Sequence, residues 1–562
     1  MKKYLAILLA LAMVFALCAC GQQQVDPSAG NNNPAGSENP AENPGAGQSN
    51  VEFGQDASIG NANATVTEKP EGIQPGTEFS YWTNYDVPLY CPWIDNRASA
   101  LLWQVYDNLL LRYHGDITDL RPCLAEDMPD ISDDYCTYTF RIRQDAYFSD
   151  GEQVTAHAFV NTWDKATKEY QARYFSNVEY YKALDDFTLE IKLTAPSASF
   201  MNDLVCQPQC GPVSPKALDE YGADDNRSAV GVGPYVIESY TPGEGFVLKA
   251  NTNYYNELKQ PSIETVRMVL IPEENTALLA LQNHELDCMN FVSIQTYDVL
   301  EAAGWNILKI KDRCNPFWVN PTANPIFENA AVREALCHMI DWEEVNELAY
   351  NGLYGVANSI YDGQGGYPYD DSYDYDPELG LQILADAGIK PEEVKFTMLA
   401  DPDFTTIETV LTQMFNDVGL VNVSFETLDG ATCYGMLKGG TYEVFPCHNG
   451  YSEESCLTPY TMGFAGTDRE GLGAQPVVFL KWMNEEAFEE ALEYYDKANS
   501  SPTYQEYVDN VAQITRILQE NHCAFGGLCV TRFYAVNEEI SGVYPTQIGG
   551  YVEFCYMYSN VG

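Results

Sequence analysis

The side chains of this chain that could do chemistry are plentiful but scattered: sixteen cysteines, six histidines and 81 carboxylates in 562 residues. No two cysteines stand as Cys-x-x-Cys and the histidines are far apart, so zinc-ligand spacing is absent. His284-Glu285 is not part of a His-Glu-x-x-His run, and there is neither a Gly-x-Ser-x-Gly elbow nor a Gly-x-x-x-x-Gly-Lys phosphate loop. Gly231-Val-Gly-Pro-Tyr235 fails as a dinucleotide loop, because Pro234 follows at once and no third glycine comes in step. Asp370, Asp371, Asp374 and Asp376 lack the Asp-x-Asp-x-Asp-Gly spacing of a calcium loop and instead lead into a helix cap. So many carboxylates guarantee chance pairs, so a glycosidase pair cannot be read from composition. These absences point away from an enzyme, with no catalytic residue, metal or cofactor expected. Cys206-Gln-Pro-Gln-Cys210 fits either a small disulfide loop or two buried thiols.

One cysteine does sit in a reactive context. Lys2 and Lys3 precede an apolar run from Tyr4 to Leu17, too short and wrongly flanked for a membrane span. The run ends in Leu17-Cys18-Ala19-Cys20, which resembles a bacterial lipobox. The resemblance implies cleavage before Cys20 and diacylation of its thiol. Two acyl chains anchor a protein stably where one does not. The competing reading is plain secretion after Ala19 with an unmodified cysteine. Cys18 is the poorer lipidation site, because Leu17 before it is too large. Residues 21–76 are crowded with Gln, Asn, Pro, Gly, Ser and Glu and cannot bury enough apolar surface to offset ordering entropy. They read as a flexible tether to the outer face of a cell membrane, the periplasmic side if the host has an outer membrane.

The rest of the chain must position whatever the tether presents. Residues 1–20 carry +2 and residues 21–76 carry −6, which leaves −47 of the formal −51 on the body. That charge opposes nucleic acid and anionic lipid headgroups, so membrane association rests on the anchor alone. Helices declare themselves by their ends. Asp376-Pro377 opens one and Gly388 closes it, Asp341-Trp-Glu-Glu344 is a capping-box pattern, and Ser501-Pro502 opens a third. Alternating runs at 138–143, 188–193 and 266–271 predict strands, and Asp150-Gly151 predicts a tight turn before a helix from Ala156 to about Tyr170. With no period of 20 to 50 residues, the body reads as an α/β or α+β fold of more than one lobe.

These segments together carry a family resemblance. Tyr138-Thr-Phe-Arg-Ile-Arg143 followed by Phe148-Ser-Asp-Gly-Glu-Gln-Val-Thr-Ala156 is similar to the signature of extracytoplasmic solute-binding proteins of the oligopeptide/dipeptide type, the family 5 receptors of ABC importers. Asn108-Leu-Leu and Leu124-Ala-Glu-Asp127 precede it in family order. Gly231-Val-Gly-Pro-Tyr235, Asn251-Thr-Asn-Tyr-Tyr255, Leu281 through Glu285-Leu-Asp287, Val332-Arg-Glu-Ala-Leu336 with Ile340-Asp341, and Asp376 through Gly388 follow it. The resemblance spans essentially all of residues 77–562.

It implies an α/β flytrap: two lobes joined by two crossing segments, with an additional inserted domain. Lobe I would hold 77–105, 191–313 and 529–562, the additional domain 106–190, and lobe II 314–528. The receptor would be a monomer that captures a peptide and passes it to ABC permease subunits. The same scaffold can instead carry an oligosaccharide, nickel chelate or haem; a hydrolase or adhesin is the remaining alternative. Family members place ligand contacts at segments matching Thr83-Asn84-Tyr85, and at a peptide-pairing strand matching Asn315, Phe317, Trp318 and Asn320. Pro316 departs from that pattern by removing a ladder donor, and Phe317 and Trp318 also read as hinge or core packing. An acid pairing with the ligand's ammonium would fall at Glu453 or Glu454, a residue or two late and without the usual tryptophan; a solvated surface charge is the competing account. Cys314 and Cys447 come near positions that are disulfide-linked in some relatives, with Cys433 and Cys456 as competitors.

Overall fold

The computed structural model describes residues 77–87, 91–92, 99–117, 119–166, 172–223, 225–363, 365–400, 404–446, 449–450, 476–545 and 551–559. Cys20, the tether, Cys447, Cys456, Glu453 and Glu454 lie outside these residues.

Local signals set the helix ends. Asp376 accepts the Leu379 N–H at 2.9 Å and starts Pro377–Asp386, and Gly388 beyond it takes φ +75. Asp341 accepts the Glu344 N–H at 3.0 Å and starts Trp342–Tyr350. The third helix begins later than its Ser-Pro signal. Thr503, not Ser501, caps Tyr504–Glu520, and the Ser501 hydroxyl instead donates to the Lys497 carbonyl of the preceding helix. The run at 370–376 serves as caps, with Asp370 accepting from the Ser372 N–H. Gly151, at φ +85, makes the expected turn before the helix Ala156–Ala166.

Strand alternation becomes burial. In Thr188–Leu193 every second side chain is buried, and Leu189, Ile191 and Leu193 face the same core as Phe140, Trp163 and Phe200. This strand pairs antiparallel with Thr137–Arg141 and Val178–Asp185, and Asp130–Ile131 completes a four-stranded sheet.

A twelve-stranded mixed sheet organises the rest. From one edge it runs Asn422–Thr427, Lys395–Ala400, Val444–Pro446, Asn306–Val319, Ala524–Val536, Cys288–Met289, Thr77–Thr83, Ile263–Leu270, Gly245–Ala250 and Tyr235–Thr241. Two short strands, Gly355–Val356 and Asn449–Gly450, pair with the central two. Thr77–Thr83 and Ile263–Leu270 are parallel, as are Lys395–Ala400 and Asn422–Thr427. Separate apolar cores back the two halves. One gathers Phe79, Tyr81, Leu248 and Val266; the other gathers Phe317, Val332, Phe396 and Leu411.

One buried ionic knot ties distant segments of the first half. Lys259 Nζ lies 3.2 Å from Asp107 Oδ1 and 3.6 Å from Glu553 Oε2, and all three side chains are buried. The hydroxyls of Tyr254 and Tyr255 donate to Asp107 Oδ2 at 2.6 and 2.8 Å. Burial alone would pull the Lys259 ammonium down, but Glu553 and Asp107 outweigh it and hold the pKa well above the usual value. Burial pushes the Glu553 carboxyl up, against the pull of Lys259 and with the push of Asp107.

Lys259→Met should strand two buried carboxylates without a counter-charge and cost about 3–5 kcal/mol in urea unfolding at pH 7. A carboxyl whose folded-state pKa lies above its unfolded value contributes stability below the unfolded pKa and loses it as pH rises through the folded one. The deficit of the variant should therefore shrink as pH falls from 7 to about 4. A deficit independent of pH would show that the two carboxylates are not its source.

Candidate functional site

The two halves of the large sheet meet, among the described residues, through one pair of strands. Asn306–Val319 and Ala524–Val536 are antiparallel from Asn306↔Val536 to Trp318↔Ala524. At one end Val536 and Ala535 continue into Cys288–Met289; at the other, Phe317 to Val319 continue into Val444–Pro446. The chain thus crosses from the first half to the second in one strand and returns in the other.

Register breaks twice along this pair, between Lys311 and Arg313 and between Pro316 and Phe317. The first break leaves Asp312 as the extra residue of a bulge, which re-aims its side chain. The second sits opposite Gly526 and Gly527, at φ +46 and +145. A Cβ on Gly526 would collide with the Trp342 indole, and one on Gly527 with the Asn315 carbonyl. Only glycine meets both demands. Pro316 is accommodated because it occupies this irregular step, where a ladder donor is dispensable.

A cavity of about 720 Å³ opens at this crossing and is lined from both halves. Asn84 and Phe291 to Gln295 come from the first half, Ala349, Tyr350, Tyr354, Phe404 and Thr406 from the second. The crossing strands supply the floor: Asp312, Arg313, Asn315, Val530, Thr531 and Arg532. Arg532 Nε lies 2.7 Å from Asp312 Oδ2, and Arg313 Nε lies 3.6 Å from the same oxygen. The Arg532 guanidinium also stacks 4.1 Å over the Phe291 ring. Burial works against the Arg532 charge, yet the Asp312 carboxylate raises its pKa further. Phe291 itself holds φ +52, an uncommon conformation for an aromatic residue, next to the group it supports. Thr531 Oγ1 is buried and has no hydrogen-bond partner among the described residues.

The residues read from sequence divide sharply. Asn84 and Asn315 line the cavity. Thr83 and Tyr85 line a separate, much smaller pocket, where the Thr83 hydroxyl donates to the Tyr85 carbonyl at 3.3 Å. Phe317 is core, stacked on Trp342 at 5.2 Å and Phe525 at 5.6 Å. Trp318 packs with Ile360, Tyr361 and Leu480. Asn320 is fully buried; its amide donates to the carbonyls of Gly440 and Tyr442, and its oxygen accepts from Thr322 and Ala323. Cys314 stands opposite Cys529 in the crossing pair, and both are buried, as are Cys206 and Cys210. The arginine floor was not anticipated. Its trace in the sequence is Lys309-x-Lys311-Asp-Arg313, three cations within five residues of a strongly acidic body.

Solved structures share this architecture. NikA from Brucella suis, in complex with Fe(III)-EDTA, superposes with a TM-score of 0.73 at 16% identity, over 86% of this chain and all of that one. DppA from Helicobacter pylori, in complex with the peptide STSA, gives 0.64 at 19% over 87% and 99%. These matches establish a mixed α/β, two-lobed periplasmic-binding-protein fold. Among curated proteins, the glutathione-binding protein GsiB of Escherichia coli K12 is 26% identical over 299 residues, 52% of this chain and 57% of the relative. GsiB of Salmonella typhimurium LT2 is 26% identical over 289 residues, 50% and 56%. The chain thus matches just over half the length of these curated relatives. The family described as bacterial extracellular solute-binding proteins, family 5 (middle region), matches residues 119–466, and the chain belongs to that family.

Proposed function

We propose that this protein is a lipid-anchored receptor on the outer face of the cell membrane that captures a short peptide and delivers it to an ABC permease. It catalyses nothing itself. The observation that carries this reading is the cavity at the strand crossing. It draws its lining from both halves of a sheet joined by two strands, the geometry of a hinged trap. At about 720 Å³ it lies within the ~300–1,000 Å³ common for small-molecule sites. Peptide-like ligands are supported by the glutathione-binding relatives and by the peptide in the DppA complex. A metal chelate is the second reading, favoured by the polar, arginine-bearing floor and by the NikA complex.

Within this reading lobe I comprises 77–105, 191–313 and 529–562, the additional domain 106–190, and lobe II 314–528. Asn84 and Asn315 contact the ligand, and Glu453 or Glu454 pairs with its ammonium. Thr83, Tyr85, Phe317, Trp318 and Asn320 hold the segments that carry those contacts. Cys20 carries the lipid. Among the described residues no helix is long and apolar enough to cross a membrane.

A ligand that binds only the folded protein raises its melting temperature by mass action. Short-peptide pools should raise Tm by several degrees, and oligosaccharide pools should not. A response to chelates alone would replace the peptide with the second reading, and a response to nothing would remove the receptor. Cys20→Ser should abolish labelling by radioactive fatty acid and move the protein from the membrane fraction to the soluble one; unchanged labelling would refute the lipid site. Glu453→Ala or Glu454→Ala should weaken a bound peptide tenfold or more, about 1.4 kcal/mol. Full affinity in both variants would exclude these acids as the ammonium partner.

A further inference from the structure

We infer that residues 351–354 are a strap that ties the two halves together along one flank of the cavity, outside the sheet, and that Asn346 is the positioning residue that holds it. This goes beyond the receptor reading, because the strap can be tested with no solute present; that reading gives the strap its purpose.

The strap leaves the second half and lands on the first. The helix Trp342–Tyr350 belongs to the second half and ends at Asn351, whose left-handed φ of +54 and ψ of +31 turn the chain sharply. Gly352 follows at φ +69, where a Cβ would meet the Glu347 carboxylate. Beyond this turn Leu353 and Tyr354 pack against a core of the first half that contains Trp82, Leu281 and Phe533. The Asn351 amide donates to Asp298 Oδ2 at 3.3 Å, on the first-half helix Ile294–Ala302. Ile294, at the start of that helix, and Tyr354 each pack against cores of both halves.

Asn346 fixes the path of the strap. Its side chain is fully buried; the amide donates to the Tyr354 carbonyl at 2.7 Å and the oxygen accepts the Tyr354 N–H at 3.1 Å. An amide side chain supplies both roles at once. Tyr354 is thereby held with its ring stacked on Tyr350 at 4.2 Å, and both residues line the cavity beside Ile294. One segment is thus both cavity wall and contact between the halves. Parting the halves on this flank means losing the packing of Ile294, Leu353 and Tyr354 together with the Asn351–Asp298 bond, so the cavity opens on the other flank.

The test is hydrogen–deuterium exchange, read by mass spectrometry on the unliganded full-length protein. Asn351→Asp keeps a side chain that tolerates the left-handed backbone and sets two carboxylates against each other. Adding Asp298→Asn exchanges donor and acceptor and restores the pair. Leu353→Ala trims the apolar contact instead. Asn351→Asp and Leu353→Ala should each speed exchange about threefold or more in both 293–300 and 349–354, while the segment around Lys259 keeps its wild-type rate. The swap should return both segments to wild-type exchange. Acceleration of 293–300 by neither variant would overturn the strap, as would acceleration that extends to the Lys259 segment or a swap that stays fast. None of these outcomes touches the receptor reading, which the solute titrations of Tm decide separately.

Discussion

Everything in the second half of the large sheet is placed by the pairing of Asn306–Val319 with Ala524–Val536. Backbone hydrogen bonds along this ladder make it stiff in register, while the bulge at Asp312 and the glycine pair at Gly526 and Gly527 interrupt it where the halves meet. Regular and irregular pairing are therefore separated along the same two strands. The irregular steps lie between the halves, and the paired ends continue into each half. The Phe317–Trp342–Phe525 stack packs one end of the crossing into a core.

The same crossing resolves an apparent conflict in charge. A body carrying −47 repels anions at long range, yet among the described residues its cleft floor gathers two arginines around one carboxylate, Asp312. The Debye length at physiological salt is about 8 Å, so most of the surface charge is screened at the cleft. Two opposite charges 4 Å apart in a partly buried site interact by about 4 kcal/mol at an effective dielectric near 20. A local pair such as Arg532–Asp312 is therefore governed by its neighbours rather than by the distant surface, which serves solubility. The knot of Lys259, Asp107 and Glu553 follows another rule: its charges pair with each other in the buried interior.

What was legible in the sequence was local. Asp341, Asp376 and Gly388 mark helix ends because capping needs only a side chain and a backbone a few residues away. Thr188–Leu193 was readable because a half-buried strand alternates. The Ser501-Pro502 start misplaced its helix by two residues, since Thr503 offers an equally good cap and Ser501 is engaged by the preceding helix. Phe317 and Trp318 illustrate the limit. On a crossing strand a large aromatic suits either a cleft or a core, and residue type does not distinguish them.

By itself the sequence determined the architecture, since eight short motifs in family order imply one chain path, and the family match over residues 119–466 agrees. It also determined the helix caps, the acidic surface and the absence of the common catalytic motifs. The charged floor of the cavity was decided only in three dimensions. Asp312 and Arg532 are 220 residues apart in sequence and meet because two strands pair in a particular register. Which of the cations in Lys309-x-Lys311-Asp-Arg313 faces the cleft depends on a one-residue bulge, and a shift of one residue exchanges the two faces of a strand. Long-range register is the sum of many weak packing preferences, so no local pattern along the chain encodes it.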